Sequence, residues 1–256
     1  MRLLASHPQI IAHEQYPMEF MPFVVSAVDD REAWLALHLR HYRRILGDEA
    51  LYASIDAKNI SQDHVDAVYR ALAFEQGKRA VYFLEKFRSW IDLRPAVTIR
   101  SDTRTIMLMR DPRDILLSAR AFDKKRGYPG FHNRPFNTDL DVVKFYKQRA
   151  YRSLANMNRR VDPVHRFIVL YENLALQPNA QLTSILGWLG LDASPAIVAS
   201  CCNRAASLED GTHTTTTSLA SSVGRWQSEM SPELNSLFVI HFAALMRRFG
   251  YVSGAK

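Results

Sequence analysis

Residues 103–122 read TRTIMLMRDPRDILLSARAF, and this stretch decides the fold. The apolar run Ile106–Met109 predicts a buried strand that ends at Arg110. A helix is predicted next, because Asp111 can cap it, Pro112 suits its first position, and apolar side chains then recur at helical spacing. The unit therefore directs a helix N-terminus and a guanidinium out of the carboxyl end of a strand, where open α/β sheets hold phosphorylated ligands.

Ser118 lies on the predicted helix, two turns from Arg110, and its hydroxyl is available to the same anion. Arginines and aspartates beside a turn also commonly form a solvated salt-bridge cluster. From the residues alone, both interpretations of this segment stay open.

The alternation of strand and helix patterns along the chain predicts an α/β fold, a mainly parallel sheet flanked by helices. The predicted strands are Ile10–His13, Ala80–Leu84, Thr105–Met109 and Phe167–Tyr171. The predicted helices, besides the one after Arg110, are Arg31–Arg44, Asp63–Gln76, Asp139–Asn158, Ala180–Leu189 and Pro232–Phe249. At 256 residues and 47% apolar composition, we expect a single domain over residues 1–256.

The composition of the chain limits where the protein is expected to be found and which classes of partner it is expected to bind. The start, MRLLASHP, has no long apolar run, and no stretch approaches the length of a membrane span, so we expect a soluble protein. The only cysteines, Cys201 and Cys202, are adjacent, which disfavours a disulfide or a metal site, so we expect the protein to be cytoplasmic. A formal charge of +7 suits a polyanionic ligand but serves solubility equally well. No nucleic-acid-binding module is present, so we expect no nucleic-acid partner.

The segment RDPRDILLSARAF, residues 110–122, resembles the 3′-phosphate-binding segment of the sulfotransferase family. That resemblance implies a P-loop-NTPase-like sulfotransferase architecture. In the family, an arginine at a strand end and a serine in the next helix hold the adenosine 3′-phosphate of the sulfuryl donor, 3′-phosphoadenosine-5′-phosphosulfate (PAPS). The matching positions in this sequence are Arg110 and Ser118.

Two later segments extend the resemblance. FIVLYENLALQPNAQLTSILGWLGL, residues 167–191, is similar to a family strand, turn and short helix whose tyrosine lies close to the adenine. The resemblance implies that role for Tyr171, although a tyrosine that only packs at the strand end is an equal alternative. SSVGRWQSEMSPELNSLF, residues 221–238, resembles the family's Ser-x-Gly-Arg-Trp stretch. It implies that Arg225 is a second cation for the 3′-phosphate, with Trp226 beneath it, or else a plain surface arginine.

The catalytic candidates come from two further matches. LLASHPQIIAHEQYPMEFMPF, residues 3–23, places Glu14 where several family members carry a catalytic glutamate, which implies a general base. Glu19 and His13 are alternative bases. VYFLEKFRSW, residues 81–90, places Lys86 at a lysine that in some relatives touches the bridging region of the sulfuryl donor, and Glu85 competes as base. No metal is expected.

The family's Gly-, Ser- and Thr-rich loop for the 5′-phosphosulfate does not occur in this sequence. MRLLASHPQI is similar to the helix that follows that loop. We therefore expect an N-terminally incomplete domain, missing its first central strand, that is weakly active or inactive and prone to aggregate. A natural variant that has lost the loop is the alternative.

The resemblance implies sulfuryl transfer from PAPS to a hydroxyl of a carbohydrate, lipid, small alcohol or tyrosine. Lys124, Lys125 and Arg126 begin a basic loop that either recognises an anionic or glycan acceptor or is merely solvated. A P-loop kinase would need a Gly-x-x-x-x-Gly-Lys-Ser/Thr loop, which the sequence does not contain. A non-catalytic nucleotide-binding or scaffold protein is the remaining alternative. The acceptor, the base and the oligomeric state are open.

Overall fold

A computed structural model describes residues 1–12, 62–86, 103–127, 136–207 and 215–251. Its contacts form two compact units, of which the first comprises residues 1–101 and 189–208 and the second residues 102–188 and 209–256. The predicted helix Arg31–Arg44 lies outside the described residues, as do His13, Glu14 and Glu19. The single domain expected from the chain length stays a prediction.

Helices and short parallel strands alternate along the chain, which confirms the α/β class. The strands are β1 (Ile10–Ile11), β2 (Tyr82–Phe83), β3 (Thr105–Met109) and β4 (Arg166–Leu170). The α-helices are α1 (Arg2–Ala5), α2 (Gln62–Glu75), α3 (Pro112–Arg126), α4 (Asp139–Arg160), α5 (Tyr171–Leu176), α6 (Pro178–Leu189), α7 (Pro195–Ser207), α8 (Trp226–Glu229) and α9 (Pro232–Phe249). The 3₁₀ turns are Pro163–His165 and Ala220–Ser222.

The first unit contains a parallel pair, β1 with β2, in which Ile10 lies opposite Tyr82. Both strands are shorter than predicted. Backbone hydrogen bonds from Val81 to Gln9 and from Leu84 to Ile11 nevertheless extend the pairing over most of the predicted second strand. The sequence thus located this strand pair correctly and overestimated the length of its regular part.

The turn between α1 and β1 is fixed by the buried imidazole of His7. The Gln9 N–H donates to its Nδ1 at 3.1 Å, so Nε2 carries the proton and donates to the Asp192 carbonyl, also at 3.1 Å. Lys78 Nζ donates to the carbonyls of Ala5 at 2.7 Å and Ile10 at 3.1 Å. These side chains satisfy backbone and ring groups that are removed from water at the start of the strand.

The second unit contains the longer parallel pair, β3 with β4, in register from Thr105 opposite Arg166 to Met109 opposite Leu170. The bounds of β3 are those predicted from the sequence. β4 begins one residue earlier than predicted, and Tyr171 begins α5 instead of ending the strand. Because the two strands run parallel and in register, both chains leave the pair at the same end.

The helix after β3 begins as the sequence predicts. Asp111 Oδ1 accepts the Arg113 N–H at 2.9 Å, and Pro112 occupies the first helical position. The helix ends at Gly127, whose φ of +77° lies in the left-handed region that glycine adopts most readily. The predicted start of α4 and both ends of α9 are confirmed, and α4 and α9 pack on each other.

A buried ion pair stabilises the start of α3. Arg113 Nη2 lies 2.6 Å from Asp111 Oδ2, and the two side chains are only 1% and 6% exposed. Arg113 also donates to Asn235 Oδ1 at 3.1 Å and to the Tyr251 carbonyl at 2.9 Å. Its guanidinium lies over the Trp226 ring, 3.4 Å from the centroid. The network therefore holds α3, α8 and both ends of α9 together.

We predict that Asp111→Ala lowers the free energy of unfolding by about 3–5 kcal/mol, because it leaves the buried Arg113 charge unpaired and removes the helix cap. Urea denaturation measures this change. Arg120→Ala is the matched control, since the Arg120–Asp139 pair is exposed at 45% and 51%. The control should cost about 0–1 kcal/mol. Equal losses in the two variants would contradict the prediction.

Candidate anion-binding site

Arg110 leaves the end of β3 with its guanidinium held on two sides. Its Nη2 donates to the Ser222 carbonyl at 2.7 Å. The guanidinium carbon lies 4.2 Å from the centroid of the Tyr171 ring, a cation–π contact. Its Nε is buried and has no hydrogen-bond partner. Within the described part of the chain, Arg110 forms no ion pair with a carboxylate.

Tyr171 supports the same corner from the end of β4. Ser222 Oγ donates to the Leu219 carbonyl at 2.6 Å, so the Tyr171 hydroxyl donates to that Oγ, at 2.7 Å. Arg110 and Tyr171 therefore both bind Ser222. The sequence predicted Arg110 and Tyr171 as site residues, and the structure brings them into contact.

Residues 222–226 form a turn held by the carboxylate of Asp114, on the first turn of α3. Its two oxygens accept the Gly224 N–H at 2.7 Å and the Trp226 N–H at 3.0 Å. Burial raises the pKa of Asp114, and these two hydrogen bonds oppose that effect. Gly224 has a φ of +73°, in the left-handed region.

Arg225 lies between the two residues that Asp114 binds. Its Nε and Nη2 donate to the two carboxylate oxygens of Glu229, each at 2.7 Å. That hydrogen bonding raises the pKa of Arg225 and lowers the pKa of Glu229. The remaining nitrogen, Nη1, is buried and has no partner. Trp226, which the resemblance placed beneath Arg225, lies under Arg113.

Ser118 lies one turn beyond Asp114 on α3, and residues four apart share a helix face. It is half-buried, and its hydroxyl forms no hydrogen bond within the described part of the chain. Among the described residues, the structure shows no contact between Ser118 and Arg110.

Two guanidinium nitrogens at this corner are buried and have no hydrogen-bond partner. Among the buried side-chain nitrogens and oxygens of the described residues, only Gln76 Oε1, Arg110 Nε and Arg225 Nη1 have no partner. A buried donor without an acceptor costs about 1–3 kcal/mol, more for a charged group. An oxyanion that accepted from both arginines would remove that cost, and guanidinium groups match phosphate geometry well.

Glu172 holds the ends of the two strands in place. Its Oε1 accepts the Asp111 N–H at 2.9 Å, and its Oε2 accepts the Tyr251 hydroxyl at 2.9 Å. Burial raises the pKa of Tyr251, and the negative charge of Glu172 raises it further. The carboxylate therefore joins the start of α3, α5 and Tyr251, the second residue after α9.

The catalytic candidates belong to the first unit. Lys86 is exposed and lies three residues beyond β2. Glu85 accepts a hydrogen bond from the Tyr69 hydroxyl, and the Tyr69 ring stacks on Phe83 at 4.4 Å. Glu85 therefore has a partner, which makes it less available as a base. Glu14 lies outside the described residues.

Sequence reasoning gave no role to three residues of this corner: Asp114, Glu172 and Ser222. Asp114 stands inside the RDPRD motif, and Glu172 follows Tyr171, so both are adjacent to residues that the sequence did identify. Their long-range partners lie between 51 and 112 positions away along the chain. Only the folded arrangement reveals those contacts.

The family model described as the sulfotransferase family matches residues 1–195 of the chain. The match covers more than half of the 256 residues, and the chain belongs to this family. Its class is therefore that of the sulfotransferase enzymes. No curated protein matches the chain.

The solved structures that are similar to the chain include three sulfotransferases. A sulfotransferase domain from the curacin biosynthetic pathway has a TM-score of 0.48 and 15% identity, covering 95% of this chain and 91% of that one. A sulfotransferase from Alicyclobacillus acidocaldarius has a TM-score of 0.48 and 16% identity, covering 97% and 89%. The mouse sulfotransferase SULT7A1, complexed with PAP, has a TM-score of 0.47 and 18% identity, covering 98% and 90%. The family assignment rests on the sequence match over residues 1–195.

Two further observations concern the described residues alone. None of their helices combines the length and the apolar character that a bilayer crossing requires. No group of three or more His, Cys, Asp or Glu side chains among them is placed to hold a metal ion.

We predict that Tyr251→Phe makes the free energy of unfolding fall less steeply as the pH rises above about 8. Above about pH 10 the unfolded tyrosine ionises. The folded one, with its raised pKa, keeps its proton, so the free energy of unfolding falls as pH rises. The variant should be less stable than wild type at pH 8, because Glu172 loses a donor, and the difference should narrow by about pH 11. Urea unfolding at both pH values tests this, and parallel pH profiles would contradict it.

Proposed function

We propose that the chain binds PAPS by its 3′-phosphate and transfers the sulfuryl group to a hydroxyl acceptor. Arg110, Ser118 and Arg225 hold the phosphate, and Tyr171 lies beside the adenine. The observation that carries this proposal is the pair of buried guanidinium nitrogens without partners, Arg110 Nε and Arg225 Nη1. A phosphate supplies acceptor oxygens and charge to both.

The site's remaining contacts fit a nucleotide phosphate. The Tyr171 ring already carries the Arg110 guanidinium on its face, so the arginine has few alternative positions. Ser222 holds Arg110 through a carbonyl, which adds no negative charge. A dianionic phosphate therefore meets a cation whose geometry is set in advance and which forms no ion pair with a carboxylate within the described residues.

Sulfuryl transfer needs the acceptor oxygen and the leaving phosphate in line. We propose that Glu14 takes the proton of the acceptor hydroxyl while the oxygen of that hydroxyl forms a bond to the sulfur of PAPS. The bond from sulfur to the bridging oxygen breaks, and adenosine 3′,5′-bisphosphate leaves. Lys86 offsets the negative charge that develops near the transferred group. The acceptor classes are a carbohydrate, a lipid, a small alcohol or a tyrosine.

We predict that Arg110→Lys weakens binding of adenosine 3′,5′-bisphosphate about 10- to 100-fold, because an ammonium cannot replace the planar guanidinium that binds Ser222 and stacks on Tyr171. Calorimetric titration measures the change. Adenosine 5′-phosphate, which has no 3′-phosphate, should bind the variant and the wild type alike.

Arg120→Lys is the matched control, since Arg120 is an exposed arginine on α3, the helix that follows Arg110. It should bind both nucleotides as wild type does. Unchanged bisphosphate affinity in Arg110→Lys would remove Arg110 from the site, and a wild-type chain that does not prefer the bisphosphate would overturn the proposed function.

We predict that Glu14→Gln lowers the rate of sulfuryl transfer from PAPS by about 100-fold or more, because the amide cannot accept the acceptor's proton. Glu85→Gln, at a carboxylate already bound to Tyr69, should lower the rate much less. Transfer of labelled sulfate to a panel of hydroxyl acceptors measures both rates. A larger loss in Glu85→Gln would make Glu85 the base. Nucleotide binding with no transfer to any acceptor class would favour the non-catalytic alternative.

A further inference from the structure

Asp114 is a fully buried carboxylate whose two oxygens are bound by backbone N–H groups. Its exposed fraction is 0%, and within the described part of the chain it forms no ion pair. Burying a carboxylate is costly unless its oxygens are well bonded. Both oxygens bind backbone N–H groups of one turn, at Gly224 and Trp226.

These two hydrogen bonds bracket Arg225. The residue before Arg225 and the residue after it are both fixed to the same carboxylate, so the Arg225 backbone has little freedom. Two positions earlier, the Ser222 carbonyl receives the Arg110 guanidinium. The relative placement of the two arginines therefore depends on how this turn is held against α3.

We infer that Asp114 is a positioning residue for the nucleotide: its carboxylate sets the turn of residues 222–226 so that Arg110 and Arg225 bind one 3′-phosphate together. This inference rests on the proposed function. Asp114 touches neither the phosphate nor the reacting atoms, and it acts through Gly224 and Trp226. Its loss should therefore weaken recognition of the 3′-phosphate and leave binding of the rest of the nucleotide unchanged.

Gly224 offers an independent way to move the same turn. An alanine there is strained because φ is +73°, yet its Cβ would have room, with the nearest atoms in the Gln227 side chain at 3.9 Å. Gly224→Ala therefore acts through the backbone alone and leaves Asp114 in place. Gly190→Ala is the matched control, at φ +69° in the first unit with nothing within 4 Å of the added Cβ.

The experiment titrates wild type, Asp114→Asn, Gly224→Ala and Gly190→Ala with adenosine 3′,5′-bisphosphate and with adenosine 5′-phosphate. Asparagine can accept only one of the two N–H groups and turns its own NH₂ toward the other. Asp114→Asn and Gly224→Ala should each lose about tenfold in bisphosphate affinity, with little change for the monophosphate. Gly190→Ala should match wild type for both nucleotides.

The outcomes separate the two claims. If wild type does not prefer the bisphosphate, the proposed function fails, and the inference fails with it. If wild type prefers it and both variants keep that preference, only the inference fails. Equal losses for the two nucleotides would assign Asp114 a merely structural role and also overturn the inference. If Asp114→Asn does not fold, the test uses Gly224→Ala alone. The inference then holds only if this variant has a lower ratio of bisphosphate to monophosphate affinity than wild type.

Discussion

The parallel register of β3 and β4 is the constraint on which the site depends. Met109 pairs with Leu170, so the next residues, Arg110 and Tyr171, leave the two strands at one end and meet face to face. A shift of one residue in this register would send the tyrosine side chain to the opposite face. Glu172 secures the arrangement, because it accepts the Asp111 N–H from the chain that leaves the neighbouring strand.

Three arginines near this strand end differ in what they already bind. Arg113 already donates hydrogen bonds to Asp111, Asn235 and the Tyr251 carbonyl. Arg225 shares one edge with Glu229 and keeps one buried nitrogen unpaired, whereas Arg110 binds only a carbonyl and an aromatic face. Arg113 therefore stabilises the fold, and the other two are the arginines to which we assign the phosphate. Proximity in sequence alone does not separate Arg110 from Arg113, since both belong to one RDPR tetrapeptide.

Local signals in the sequence predicted the elements that carry the site. The apolar run gave β3 its correct bounds, and Asp111 and Pro112 marked the start of α3 because capping depends on adjacent residues. The sequence did not predict α7 or the helix that begins at Tyr171. Nor could it reveal that Asp114 binds Gly224 and Trp226, because those hydrogen bonds join backbone groups 110 and 112 positions away. Backbone donors carry no residue-specific signal, so a carboxylate that binds them cannot be matched to its partner by composition or spacing.

The pairing of Arg225 with Glu229 fixes the position of this guanidinium and is compatible with the phosphate-binding role that we propose for it. Glu229 is 45% exposed, and an ion pair open to solvent contributes only about 0–1 kcal/mol. Exchanging that carboxylate for a phosphate therefore costs little, and the buried Nη1 already provides a free donor before any exchange. Arg113 is in the opposite situation: its carboxylate partner is 6% exposed, and breaking that pair would leave a buried charge without compensation. The depth of the partner carboxylate thus separates Arg113, which belongs to the framework, from Arg225, for which we propose a role in binding the phosphate.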